Sequence, residues 1–191
     1  KNLEQVIDTR TNELKEANQK LEAMSMTDGL TEIANRRKFD MHYLDEWSRA
    51  QRNNRPLVIL ILDVDQFKLF NDCFGHQQGD RCLQQIAKIL KSFTNRPGEL
   101  AARYGGEEFV VIIPEMITEK ARQFAELICS EIESLCIPQA PSALNRVVTV
   151  SIGVASNSIL LTDSPDSFLK EADKALYKAK ENGRNRVELA S

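Results

Sequence analysis

The chain has 191 residues, is 42% hydrophobic and carries a formal net charge of -3. That is enough apolar material for one packed domain with an appendage, and too much for a disordered chain. The acidic balance argues against a broad nucleic-acid-binding surface, and no apolar run approaches the roughly 20 residues of a membrane-spanning helix.

The chain opens at Lys1 on a polar, charged segment without a signal-peptide pattern, so an excised fragment with a sensor or membrane region upstream is expected. Leu3, Ile7, Leu14, Ala17, Leu21 and Met24 recur at heptad a/d spacing, with Arg10 as the one break. So narrow a seam favours a two-stranded coiled coil over a single amphipathic helix folded back on its own domain. Thr27-Asp28-Gly29 interrupts it, dividing the chain into an N-terminal helix, 1–26, and a globular domain, 27–191.

Next, the spacing predicts a helix from about Arg36 to Gln51 and a strand over 57–62. The strand is apolar without alternation, so both of its faces should be covered. A short helix through Phe67–Asp72, a turn at Gly75 and helical spacing of Leu83, Ile86, Ala87 and Leu90 follow. Beyond the Arg96-Pro97-Gly98 turn, strands over 100–103 and 108–113 flank Gly105-Gly106, a hairpin signal. A helix over 118–135, a loop over 138–145 and a strand over 147–154 come next. Ser164-Pro165 opens a last helix that ends near Gly183, and 186–189 reads as a short edge strand. Interleaved strands and helices broken by one hairpin predict an α+β fold. Its mixed sheet is flanked by helices near the βαββαβ plan, with the N-terminal helix in addition.

Two acidic clusters sit at strand boundaries: Asp63-Val64-Asp65 and Glu107-Glu108. Singly, each is an ordinary turn or hairpin feature. If the two strands are neighbours, the carboxylates converge. Asp63, Glu107 and the Val64 carbonyl would then offer hard oxygen ligands of the kind Mg²⁺ shares with phosphates. Lys68, Lys180 and Arg184 supply cations for a polyphosphate, Lys180 and Arg184 about one helical turn apart, although solvated surface charge is their default reading. Asn71, Asp72 and Asp80 suit a purine edge, or simple helix capping. Cys73, Cys82, Cys129 and Cys136 form no CxxC pair, and His42 and His76 are the only histidines, which argues against zinc and for buried, reduced thiols.

Arg103-Tyr104-Gly105-Gly106-Glu107-Glu108-Phe109 resembles the signature of GGDEF domains, the bacterial diguanylate cyclases, in its GGEEF form. Further blocks resemble the same family in order. They are Asp28-Gly29-Leu30-Thr31 with Asn35-Arg36-Arg37 and Phe39; Asp63 to Lys68 with Asn71-Asp72, Gly75-His76 and Gly79-Asp80; Ser151-Ile152-Gly153-Val154; and Ala172 to Tyr177 with Lys180 and Gly183-Arg184-Asn185. The resemblance covers about residues 27–188.

It implies a fold related to the palm of adenylyl cyclases and polymerases. It implies condensation of two GTP into cyclic di-GMP and two pyrophosphates across a homodimer, dependent on Mg²⁺ with Mn²⁺ as a substitute, and no nucleic-acid partner. By position, Asp63, Val64 and Glu107 would hold the metal, and Glu108 would assist deprotonation of the 3′-hydroxyl. Asn71 and Asp80 would read guanine, with Phe67 and His76 beside the nucleotide. Lys68, Lys180 and Arg184 would hold phosphates, with Lys68 stabilising charge in the transition state. Such a domain works in the cytoplasm, on signals from an upstream sensor of a parent protein that is soluble or membrane-anchored.

Two positions depart from the family pattern. Glu32 replaces a customary glycine, and the RxxD product-inhibition motif reads Arg96-Pro97-Gly98-Glu99. Arg96 and Glu99 therefore stand as a candidate allosteric product site, with retention and loss of inhibition both open. Two other readings compete with the cyclase. One is a module that binds GTP or cyclic di-GMP without turnover; the other is a cyclase acting on a single ATP.

Overall fold

The computed structural model describes Ile7, Arg10, Thr11 and residues 26–157 and 164–190. Ile7, Arg10 and Thr11 are helical, but the coiled-coil expectation for 1–26 otherwise lies outside the described residues, Met26 apart.

Strand β1 (Ala34–Asn35) leads directly into helix α1 (Arg36–Asn53). Asn35 caps that helix, its side-chain oxygen accepting the Lys38 N–H at 3.0 Å. Strand β2 (Leu57–Val64) is followed by helices α2 (Phe67–Phe74) and α3 (His76–Phe93). Strands β3 (Leu100–Gly105) and β4 (Glu108–Pro114) form the expected hairpin, with Gly106 and Glu107 at its tip. Helix α4 (Thr118–Glu133), strand β5 (Val150–Asn157), helix α5 (Pro165–Glu181) and strand β6 (Val187–Leu189) complete the domain. Ser164 caps α5 by accepting the Ser167 N–H at 3.1 Å, and Pro165 stands in the first turn, as the sequence predicts.

The strands form one sheet in the order β1-β3-β4-β2-β5-β6. The inner four are antiparallel, in the order of a ferredoxin-like βαββαβ unit, and the outer pairs β1–β3 and β5–β6 are parallel. Strand β2 lies at the centre, and its alternate residues serve two cores. Val58, Leu60, Leu62 and Val64 pack with Ile86 and Leu90 of α3 and Ile128 of α4. Leu57, Ile59 and Ile61 pack with Phe39, Tyr43 and Trp47 of α1 and Phe168, Ala172 and Leu176 of α5. Burial on both faces is why the strand is apolar without alternation.

Helix α5 lies very close to the sheet. A Cβ on Gly153 would stand 2.1 Å from the Ala172 carbonyl oxygen and 2.2 Å from the Leu176 nitrogen. Only a residue without a side chain lets α5 approach closely enough to bring its C-terminal end beside β2.

Several boundaries differ from the sequence expectation, and three have a visible cause or consequence. Strand β5 begins at Val150, not at 147, because residues 146–149 are engaged elsewhere: Arg146 accepts from Gln139, Val148 donates to Ile137, and Thr149 accepts from Asp65. Helix α5 stops at Glu181, where Gly183 takes a φ of +115° and the Arg184 N–H donates to the Ala179 carbonyl at 3.0 Å. That is a Schellman closure, so Arg184 lies past the helix and not one helical turn along it from Lys180. Helix α3 also starts earlier than its apolar spacing suggested, at His76.

Glu32 has a φ of +58°, in the region where glycine is comfortable and a side chain is strained. Glu32→Gly is therefore expected to raise stability by about 0.5–1 kcal/mol, read as a higher urea midpoint. A midpoint that is unchanged or lower would contradict the strain.

Candidate active site

The two acidic clusters do meet. Asp63 and Glu108 are directly paired across β2 and β4, so their side chains leave the same face of the sheet, the face that carries α5. One residue on, the Val64 N–H donates to the Glu107 carbonyl at 3.3 Å, which seats the hairpin tip against the end of β2. Asp63 is 13% exposed, and Lys180 of α5 reaches it with Nζ 3.0 Å from Oδ2. Burial pushes the Asp63 carboxyl up to about 6, Lys180 opposes the rise, and the nearby Glu107 and Glu108 charges add to it.

This is an environment short of positive charge. Of the charges that act on Asp63, Lys180 is opposed by Glu107 and Glu108, and a divalent ion would relieve both the burial and the mutual repulsion. Among the described residues, no three His, Cys, Asp or Glu side chains are grouped so as to hold a metal unaided. The donor set that fits is thus the mixed one: two carboxylates, the Val64 carbonyl, and oxygens brought by water or a phosphate ligand.

Beside this edge lies a cavity of about 490 Å³ lined by Phe67, Lys68, Asn71, Asp72, His76, Asp80, Leu83, Arg103, Gly106 and Glu107. It gathers most of the residues singled out for a nucleotide. Asn71 Oδ1 is the one buried side-chain polar atom without a hydrogen-bond partner among the described residues. An unpaired buried acceptor is costly unless a ligand donor meets it. Glu108 instead lines a neighbouring cavity of about 440 Å³ with Ile61, Tyr104, Asp166, Leu169, Lys170 and Asp173. The two glutamates of the signature therefore face different spaces.

Asp65 does not join the convergence expected of its cluster. It is 3% exposed, and its carboxylate accepts from Ser151 Oγ at 2.6 Å, Thr149 Oγ1 at 2.7 Å and the Asn185 N–H at 3.0 Å. With both oxygens committed to protein donors, it is no metal ligand.

Sequence reasoning gave Arg103 no role, yet Arg103 holds the hairpin tip. Its Nε and Nη2 donate to the Gly106 carbonyl at 2.9 and 2.8 Å, and Nη1 lies 3.2 Å from Asp28 Oδ1. Burial alone would raise the Asp28 carboxyl. The Thr31 hydroxyl and amide, with Arg103, outweigh it and hold the group below its usual range. A brace thus runs from the start of the domain to the signature turn. Only its chain order, with Asp28 and Arg103 both inside resembling blocks, hinted at it.

Arg96 and Glu99 lie apart from both cavities' linings, in a turn where Glu99 Oε2 accepts the Arg96 N–H at 2.9 Å. His42 Nε2 contacts the Gly98 carbonyl at 2.7 Å and ties that turn to α1. Cys82 and Cys129 are buried, and burial pushes both thiols up to about 12, whereas Cys73 and Cys136 are exposed, against the expectation that all four thiols are buried. No helix among the described residues is long and apolar enough to cross a membrane.

Comparison with known proteins identifies the family. The family profile "Diguanylate cyclase, GGDEF domain" matches residues 25–186. Diguanylate cyclase A of Treponema denticola is 40% identical over 176 residues, covering 91% of this chain and 46% of that protein. The chain spans about half the length of such curated relatives. The crystal structure of the GGDEF domain of DgcB from Caulobacter crescentus in complex with c-di-GMP superposes with a TM-score of 0.79 at 36% identity, over 87% of this chain and 96% of that one. The DgcB structure that includes the coiled coil also gives 0.79, at 33% identity over 100% of each chain. The sheet and its flanking helices are the palm-like arrangement of these domains. The chain belongs to the GGDEF family of diguanylate cyclase domains.

Proposed function

We propose that residues 27–191 form the catalytic domain of a diguanylate cyclase and that 1–26 is a coiled-coil linker carrying a signal from an upstream sensor. The reaction condenses two GTP into cyclic di-GMP and two pyrophosphates, one GTP on each subunit of a homodimer. Each 3′-hydroxyl oxygen bonds to the α-phosphorus of the other GTP, the bond from that phosphorus to the β-phosphate bridge breaks, and pyrophosphate leaves. The observation that carries this reading is that Asn71, whose buried Oδ1 has no partner, lines the same cavity as Asp80. Two acceptor-bearing side chains in one cavity suit the N1–H and N2–H donors of guanine, whereas adenine offers an acceptor at N1.

Phe67 and His76 flank the base on this reading, and Lys68 lies at the cavity wall where a triphosphate would continue toward Glu107. Lys180 and Arg184 supply further positive charge to the phosphates. Asp63, Glu107 and the Val64 carbonyl would hold Mg²⁺, or Mn²⁺ in its place, which when bound would supply neutralisation of phosphate charge. Glu108 takes the proton of the 3′-hydroxyl. Its separate cavity on the α5 face suits a group that serves a nucleotide other than the one seated beside Asn71. Arg96 and Glu99 are the candidate allosteric product site. Ile7, on the linker seam, is 55% exposed, as a residue awaiting a second helix would be.

Incubation with GTP and Mg²⁺ followed by nucleotide chromatography tests the reading, with ATP in parallel. Cyclic di-GMP from GTP and no cyclic product from ATP is the expected result. Glu108→Ala is expected to lower the rate about 10²-fold while still binding GTP. No cyclic di-GMP even at high protein concentration would leave a non-catalytic nucleotide-binding module in its place.

A further inference from the structure

The last residues before β6 have an unusual backbone. Arg184 and Asn185 are consecutive non-glycine residues with φ of +63° and +45°, after Gly183 at +115°. Left-handed residues of this kind persist only where their surroundings over-determine them. The Schellman closure at Ala179 holds one side of this segment. On the other side, the Asn185 N–H ends on Asp65 Oδ2 at 3.0 Å.

Asp65 is itself fixed from several directions. Thr149 and Ser151, at the start of β5, donate to its two carboxylate oxygens. Its own N–H donates to the Thr149 carbonyl at 2.9 Å, and its carbonyl accepts from Gln139 Nε2 at 3.1 Å. Meanwhile Lys180, at the other end of the 180–185 segment, is tied to Asp63. The segment that bears Lys180 and Arg184 is thereby bound at both ends to the two acids that flank Val64.

We propose that Asp65 is a positioning residue for phosphate recognition, holding the Gly183–Asn185 turn so that Arg184 is preset toward the triphosphate. This rests on the reading of GTP as substrate. A carboxylate is required because three donors converge on it. An asparagine keeps one acceptor oxygen and turns an NH₂ toward the other side; the Ser151 and Thr149 hydroxyls can reverse their role and accept from it, whereas the Asn185 N–H cannot. Asp65 acts through Arg184 and touches no substrate atom.

The test compares 3′-deoxy-GTP, which cannot cyclise, with 3′-deoxyguanosine, which lacks phosphates, by calorimetry on the folded chain with Mg²⁺. Asp65→Asn is expected to weaken 3′-deoxy-GTP about 10-fold and to leave 3′-deoxyguanosine within about two-fold. Arg184→Ala should cost about 10-fold in the wild type and less than about two-fold on top of Asp65→Asn, the coupling of two residues that act as one. Equal weakening of both ligands, or fully additive losses, would reduce Asp65 to a fold-stabilising residue and overturn the proposal. Should Asp65→Asn not fold, Thr149→Val removes one of the two donors on Oδ2 and is expected to give the same phosphate-selective loss at smaller size. Loss on both ligands there would overturn the proposal equally. A wild type that binds neither ligand would sink the GTP reading itself, whereas a wild type that binds 3′-deoxy-GTP no better than Asp65→Asn does would sink this inference alone.

Discussion

Asp63→Asn is expected to lower cyclic di-GMP formation about 10³-fold and, in the same molecule, to make the metal-free protein more stable. The first effect follows from removing a proposed metal ligand, with several kcal/mol of charge stabilisation at about 1.4 kcal/mol per factor of ten. The second follows from the same buried charge. The Asp63 carboxyl is pushed from its usual 3.8 up to about 6, with burial as the leading cause. The folded state therefore holds this proton more tightly than the unfolded one. The group's favourable contribution is complete below its unfolded value and is lost as pH rises through the folded value. At about pH 8 the ionised wild-type side chain costs about 2–3 kcal/mol, a penalty that the neutral amide avoids. Thermal melts without metal should show the variant higher by about 5–10 °C at that pH. The gain should shrink as pH falls through about 6 and vanish below about 4. A variant no more stable than wild type at high pH would mean that Asp63 is not strained by its surroundings. A variant with full activity would remove it from the metal site.

Gly79→Ala is expected to weaken GTP binding by about 10²-fold or more and to erase the preference for GTP over ATP, with almost no change in stability. Gly79 lies in α3, where alanine has the better helix propensity by about 1 kcal/mol. Its new Cβ would stand 2.0 Å from Asn71 Oδ1 and 3.1 Å from Phe67 Cζ. The cheapest escape is rotation of the Asn71 carboxamide. That keeps the fold but moves the buried, unpaired oxygen proposed to meet guanine. Titrating GTP and ATP into wild type, Gly79→Ala and Asn71→Ala should give the two variants matching losses. An unchanged GTP-to-ATP ratio in Gly79→Ala would show that Asn71 does not read the base.

Local chemistry made much of this legible in advance. The run Leu57 to Leu62 could only be a strand covered on both faces, and both cores pack against it. Ser164-Pro165 could only open a helix. The signature glycines had to turn the chain between β3 and β4. The resembling blocks also named residues that the structure gathers around one cavity, from Phe67 to Asp80 with Glu107.

What escaped depended on partners far away in the chain. Asp63 and Asp65 are two residues apart and chemically alike, so pattern alone grouped them. The sheet gave one of them Lys180 and the hairpin tip, and the other a cage of Ser151, Thr149 and Asn185. Arg103 could be a surface cation until Asp28 and the Gly106 carbonyl are brought to it. Arg184 continues the helical spacing of α5 on paper, and the closure onto Ala179 is what takes it off the helix.

The sequence by itself determined the order of elements, the central buried strand, the hairpin and the residue types a metal–triphosphate site needs, because periodicity and turn chemistry act over a few neighbouring residues. Only the tertiary structure decided which acid is left for a cation and which is consumed by the fold, because that choice is made by donors arriving from strands and loops about a hundred residues distant, whose placement no local pattern encodes.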